Sequence, residues 1–201
     1  MLAGAAMTAG ISETGQAADD KRAHEALSVL VLGGTGFIGP HMVRELLRRG
    51  HSVTLFNSGR SNSGLFPDLE TIKGDRDGGL QGLEGRRRDA VIDNSGYVPR
   101  HVQDSARLLA KNTKRYLFVS TLSVYADFTI RNDEDSPLAT IADESIEEVT
   151  GETYGALKVL CEKRAAAEIG DERLTTLRPN YIAGPGDHTD RFSYWPIRTR
   201  K

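Results

Sequence analysis

The stretch Ser28-Val-Leu-Val-Leu-Gly-Gly-Thr-Gly-Phe-Ile-Gly39 decides the fold. Val29 to Leu32 is an unbroken apolar run, the pattern of a strand buried on both faces. Glycines follow at 33, 36 and 39. A helical pattern runs from about Phe37 to Arg49, with Ile38, Met42, Val43, Leu46 and Leu47 recurring at three and four until Gly50. In a strand–turn–helix of this kind the first glycine permits the tight turn. The second lets backbone approach a pyrophosphate, and the third lets the helix pack closely on the sheet. Unpaired N–H groups and the helix dipole favour phosphate there. Glycines alone would mark a turn; the strand before and the helix after make this a dinucleotide site. Its candidate residues are Gly33, Thr35, Gly36, Phe37, Ile38 and Gly39.

The same alternation continues downstream. Residues 51–56, 71–73, 90–93, 116–120 and 174–177 read as strands, and about 100–111 and 153–168 read as helices. Right-handed crossovers between such elements predict an α/β doubly wound parallel sheet, a Rossmann fold. Residues 127–149, rich in Asp and Glu, read as a surface loop, and after Pro179 no pattern is strong enough to assign. A chain of 201 residues with 38% apolar side chains buries one ordinary core, so residues 28–201 are expected to form one domain.

Composition narrows the function. The formal net charge of -2 gives no general attraction to nucleic acid or anionic membrane, and neither is an expected partner. The single cysteine, Cys161, rules out an internal disulfide; beside Leu157 and Leu160 it reads as a core residue. Five histidines are scattered without ligand spacing, so no metal is expected. Residues 1–27 read as a leader outside the fold. One reading is an alanine-rich tail on a cytoplasmic protein, and the other is an export signal lacking its basic start.

Two further clusters carry chemistry. Tyr154 and Lys158 lie four apart, on one face of a predicted helix. An ammonium beside a phenol favours the phenolate, which suits tyrosine to proton transfer near neutral pH. Ser120, Thr121 and Ser123 follow the fifth strand, at the carboxyl edge where open α/β sheets bind ligands. After the second strand there is no acid to hold a ribose 2'-hydroxyl. Asn57, Ser58 and Arg60 stand there instead, and Arg60 with Ser58 can receive a 2'-phosphate, which favours NADP over NAD.

Five segments in order now carry a resemblance: GGTGFIG at 33–39, GDRD at 74–77, VSTLSVY at 119–125, YGALK at 154–158 and LRPNYIAGPG at 177–186. The chain resembles the extended short-chain dehydrogenase/reductase superfamily, in its NAD-dependent epimerase/dehydratase branch. The resemblance implies an NAD(P)-dependent epimerase, dehydratase or reductase acting on a nucleotide-sugar or related hydroxy or keto substrate. It implies that Tyr154 moves a proton while Lys158 lowers its pKa and binds the nicotinamide ribose. Thr121 takes the catalytic Ser/Thr place, and Ser123 and Asn180 contact substrate. Asp75 and Arg76 would lie near the adenine, and Asn94, Ser95 and Gly96 along the cofactor. A homodimer through the 100–111 and 153–168 helices is also implied. Two departures stand out: Asp93-Asn94-Ser95-Gly96-Tyr97 replaces an alanine-rich turn, and most of the family's C-terminal substrate region has no counterpart, which reads as truncation. The wording GGTGFIGPH and FNSGR is also close to chloroplast RNA-binding relatives on this scaffold, which keeps a non-catalytic alternative open.

Overall fold

The computed structural model describes residues 25–187, 189 and 194–200. Six strands form one parallel sheet: β1 (Ser28–Leu32), β2 (Ser52–Asn57), β3 (Thr71–Lys73), β4 (Arg88–Asp93), β5 (Thr113–Val119) and β6 (Leu174–Leu177). Their spatial order is β3-β2-β1-β4-β5-β6, the doubly wound arrangement. Order reverses between β1 and β4, whose registers pair Leu30 with Val91 and Leu32 with Asp93.

Helix α1 (Gly39–Arg48) begins two residues later than the periodicity suggests. The glycine turn runs through Ile38, and Pro40 sits in the first helical turn, where its missing N–H costs nothing. Gly50, at φ 82, ends the helix in the left-handed conformation that suits glycine. Helix α2 (Pro99–Leu109) also opens on proline, and α3 (Tyr154–Ile169) stops at Gly170, φ 83. A six-residue α4 (Tyr194–Thr199), which no apolar period announced, closes the described chain.

Two apolar layers flank the sheet. On one face, Leu30, Leu32, Val91, Tyr116 and Phe118 pack with Val102, Ala106 and Leu109 of α2 and Cys161, Ala165 and Ile169 of α3. On the other, Val29, Val31, Val53 and Leu55 pack with Val43 of α1. Cys161 is fully buried, and burial pushes its thiol up to about 12, leaving it an inert core group. The leader's first 24 residues lie outside the described residues. Among the described residues, no helix is long and apolar enough to cross a membrane.

Candidate functional site

The glycine turn is held open from three sides. Asn57, at the end of β2, accepts the Gly34 N–H at 3.0 Å, and Asn94, after β4, donates to the Gly33 carbonyl at 3.1 Å. Asn62, at a left-handed φ of 44, donates to the Thr35 carbonyl at 3.1 Å. Gly33 itself has φ 87, and a Cβ there would strike Ser95 Cβ at 2.7 Å. At Gly39 a Cβ would run into the backbone of Gly33 and Gly34, so α1 rests directly on the turn. Gly36 differs: a Cβ there would meet nothing within 4 Å. Its backbone is bare on that side.

From this turn a cleft of about 1190 Å³ runs along the sheet's carboxyl edge to Tyr154, Asn180 and Tyr181. Every expected site residue except Gly39 and Gly96 lines it. Those two lie behind the wall. A Cβ on Gly96 would strike Phe118 and Val102, each at 2.6 Å, so only glycine fits where its carbonyl turns toward α3.

That carbonyl accepts a hydrogen bond from Lys158 Nζ at 2.7 Å, and the Val119 carbonyl accepts a second at 2.8 Å. The ammonium lies 4.2 Å from the Phe118 ring centre and 5.4 Å from that of Tyr97. Burial pushes Lys158 down to about 8. Tyr154, half-buried, stands one turn earlier on α3. The start of α3 is pressed against the short turn Leu122–Val124 because residue 155 is glycine; a Cβ would overlap the Ser123 carbonyl. This contact sets the start of α3, and Tyr154 with it, against the turn that carries Thr121 and Ser123. Thr121 Oγ1 accepts the Ser123 N–H at 3.1 Å and donates to Ser123 Oγ at 3.2 Å.

Arg76 has an employment that its motif did not announce. Its guanidinium grips Asp93 through two hydrogen bonds of 2.5 and 2.7 Å and reaches Ser105 Oγ, while Tyr116 donates to the same carboxylate at 2.9 Å. Burial alone would raise the Asp93 carboxyl, but the Arg76 charge holds it below the usual range. Arg76 therefore braces β4 against α2 beneath the cleft, and Asp75 alone of the pair offers an exposed side chain. Asp75 pairs with Arg60 at 2.9 Å.

The residues fit a dinucleotide. The open backbone at Gly36 suits phosphates, and the buried Asn57 Nδ2 and Ser120 Oγ, both on cleft-lining residues, have no hydrogen-bond partner among the described residues. Among the described residues no cluster of His, Cys, Asp or Glu is gathered for a metal ion. Two features escaped the sequence reading. Asn62 gives no signal beyond a loop asparagine, whereas Tyr97 sits in the NSGY turn already marked as unusual. Its ring centre lies 6.4 Å from that of Tyr154.

The model of the NAD dependent epimerase/dehydratase family matches residues 29–196. The chain belongs to that family. Among curated relatives, a 3-beta-hydroxysteroid dehydrogenase of Mycolicibacterium neoaurum is 28% identical over 187 residues, covering 80% of this chain and 49% of that protein. The chloroplast stem-loop binding protein of 41 kDa b of Arabidopsis thaliana is 28% identical over 173 residues, covering 78% and 42% respectively. The chain thus spans about half the length of the curated relatives it matches. Among solved structures, MoeE5 in complex with UDP-glucose and NAD is 25% identical with a TM-score of 0.64, covering 86% of this chain and 60% of that one.

Proposed function

We propose that this chain carries NAD(P)-dependent hydride-transfer chemistry at a hydroxyl- or carbonyl-bearing carbon of a nucleotide-sugar or related hydroxy or keto compound. The observation that supports it is the gathering of Tyr154, Lys158 and Thr121 on one cleft whose far end is an open glycine turn. The nicotinamide cofactor, when bound, supplies the hydride acceptor or donor. Gly33, Thr35, Gly36, Phe37 and Ile38 would hold its phosphates, with Asn94, Ser95 and Ser120 along its length and Gly39 and Gly96 shaping the wall behind. At the adenine end Asn57, Ser58, Arg60, Asp75 and Arg76 border the cleft. The absence of an acid after β2 favours NADP, with Arg60 turning from Asp75 to a 2'-phosphate.

The chain's own residues account for the proton. Tyr154 Oη takes it from a substrate hydroxyl during oxidation or returns it during reduction. Lys158, anchored by two carbonyls, is held in the same cleft one turn further along α3. Thr121 Oγ1 and Ser123 Oγ orient the reacting oxygen, and Asn180 borders it. Resemblance to the chloroplast stem-loop binding protein raises a non-catalytic role, which the retained Tyr154–Lys158 pair disfavours. Substituting Tyr154→Phe separates the two. Turnover of reduced cofactor against sugar nucleotides and ketones should fall by about 10²–10⁴-fold while cofactor affinity holds. Unchanged turnover would sink the catalytic reading, and an RNA gel shift would then support the alternative.

A further inference from the structure

The substrate end of the cleft is apolar and aromatic to an unusual degree for exposed protein. Tyr97, Phe128, Val149 and Tyr181 line it while remaining 48%, 63%, 43% and 84% exposed. Large apolar side chains gathered at a concave site, and not scattered singly, mark a surface that a ligand covers. Leu122, Pro179 and Ile182 continue the same wall. The polar groups beside it carry no charge: the hydroxyls of Thr121, Ser123, Thr150 and Tyr154, the phenols of Tyr97 and Tyr181, and the amide of Asn180.

Charge points the same way. A diphosphate is normally received by arginine forks, lysines or bare helix N-termini. Among the described residues, three cations of this region are already engaged. Lys158 donates to Gly96 and Val119, Arg100 pairs with Glu147 and Asp77, and Arg178 pairs with Glu162. Arg60 lies at the opposite end with Asp75. The segment that supplies Phe128 and Val149, residues 127–152, holds nine acidic residues against one basic, Arg131; Glu147 and Glu144 are offset by Arg100 and Arg164, which leaves seven acids. Such a field repels an approaching dianion and leaves a neutral molecule unaffected.

We infer, building on the proposed hydride-transfer site, that the substrate is an uncharged alcohol or ketone whose reacting carbon is carried on an apolar ring body. Tyr97, Phe128, Val149 and Tyr181 cover the ring faces, and the Tyr154–Thr121–Ser123 hydroxyls receive the oxygen. The inference narrows the substrate class away from nucleotide-sugars.

Calorimetry on the full chain, with and without saturating NADPH, tests this with two probes: 1-tetralone, a neutral bicyclic ketone, and UDP-glucose. Tetralone should bind, and UDP-glucose should give no heat. Phe128→Ala combined with Tyr97→Ala should weaken tetralone about tenfold, because two aromatic contacts are lost. Tyr97→Phe, which keeps the ring, should change little, and NADPH affinity should hold in every variant. The inference is overturned if UDP-glucose binds more tightly than tetralone, if the double variant leaves tetralone affinity unchanged, or if neither probe binds. The NADPH titration and Tyr154→Phe turnover read the underlying hydride-transfer proposal separately.

Discussion

The two ends of one cleft are built by different means. At the glycine turn, the backbone is fixed by Asn57, Asn62 and Asn94, which reach it from three separate segments. Beneath it lies the buried Arg76–Asp93 pair. At the other end, the 127–149 loop is shaped by local turns, through Asp127 with Thr129, Asp133 with Ser136 and Asp143 with Ser145, and is tied to the body by Arg100 with Glu147 and Arg178 with the Glu134 carbonyl. One end therefore inherits the rigidity of the sheet. The other is a set of local turns that present apolar side chains outward. A dinucleotide needs a fixed shape, while a wall that meets varied substrates can differ without disturbing the core.

The largest expected effect tests the rigid end. Arg76→Ala leaves the Asp93 carboxylate buried without its counter-charge, and should cost about 3–5 kcal/mol in urea unfolding. A loss below about 1 kcal/mol would show that the brace is dispensable. Phe128→Ala, by contrast, should stay within about 0.5 kcal/mol of the parent, since it removes an exposed side chain.

Two glycines sharpen the contrast within the turn. Gly39→Ala forces a methyl into the Gly33–Gly34 backbone, so α1 must move; a loss of about 1–3 kcal/mol follows, and NADPH binding weakens with it. Gly36→Ala meets open space and should leave the melting temperature alone while still weakening NADPH by about tenfold or more. Thermal unfolding beside a fluorescence titration separates these outcomes. If Gly36→Ala binds NADPH as the parent does, the phosphates lie elsewhere.

Much of this was legible beforehand, for reasons that also explain what was not. The β1–turn–α1 unit is written in local signals: an apolar run, glycines at fixed spacing and a helical period. Tyr154 and Lys158 share one helix, so their nearness follows from spacing alone. The start of α1 was misplaced by two residues because turn and helix share the apolar Phe37 and Ile38. Arg76 was assigned by motif position to the adenine, yet its partners Asp93, Ser105 and Tyr116 come from β4, α2 and β5. Only the folded crossovers bring them together. Tyr97 and Phe128 are likewise joined by the cleft and not by any sequence interval.

Lys158 gives a test in which activity and stability part company. Its ammonium is disfavoured by burial, so the folded chain releases the proton near pH 8 and the unfolded chain near 10.5. The cost of burying the charge is present in full below pH 8 and is relieved as pH rises between those values. Cys161 opposes this above pH 9, because its thiol stays protonated in the fold up to about 12. Between pH 8 and 9 stability should therefore rise by about 1 kcal/mol, and Lys158→Met should flatten that rise. Over the same interval turnover should fall, because the cleft loses the Lys158 charge. Turnover still climbing at pH 10 would remove Lys158 from the proton step.

The smallest effect concerns the adenine end, where the rigid wall meets solvent. Arg60 is 80% exposed and Asp75 43%, so their pairing at 2.9 Å contributes little to the fold. That weakness is what a selectivity residue requires, since Arg60 can leave Asp75 for a 2'-phosphate without disturbing the core. Arg60→Ala should weaken NADPH by about fivefold at low salt and leave NADH unchanged, with the difference shrinking as salt screens the contact. Asp75→Asn should act in the opposite sense, freeing Arg60 and tightening NADPH. Equal losses for both cofactors in Arg60→Ala would mean that the arginine only shapes the loop, and the preference for NADP would lose its support.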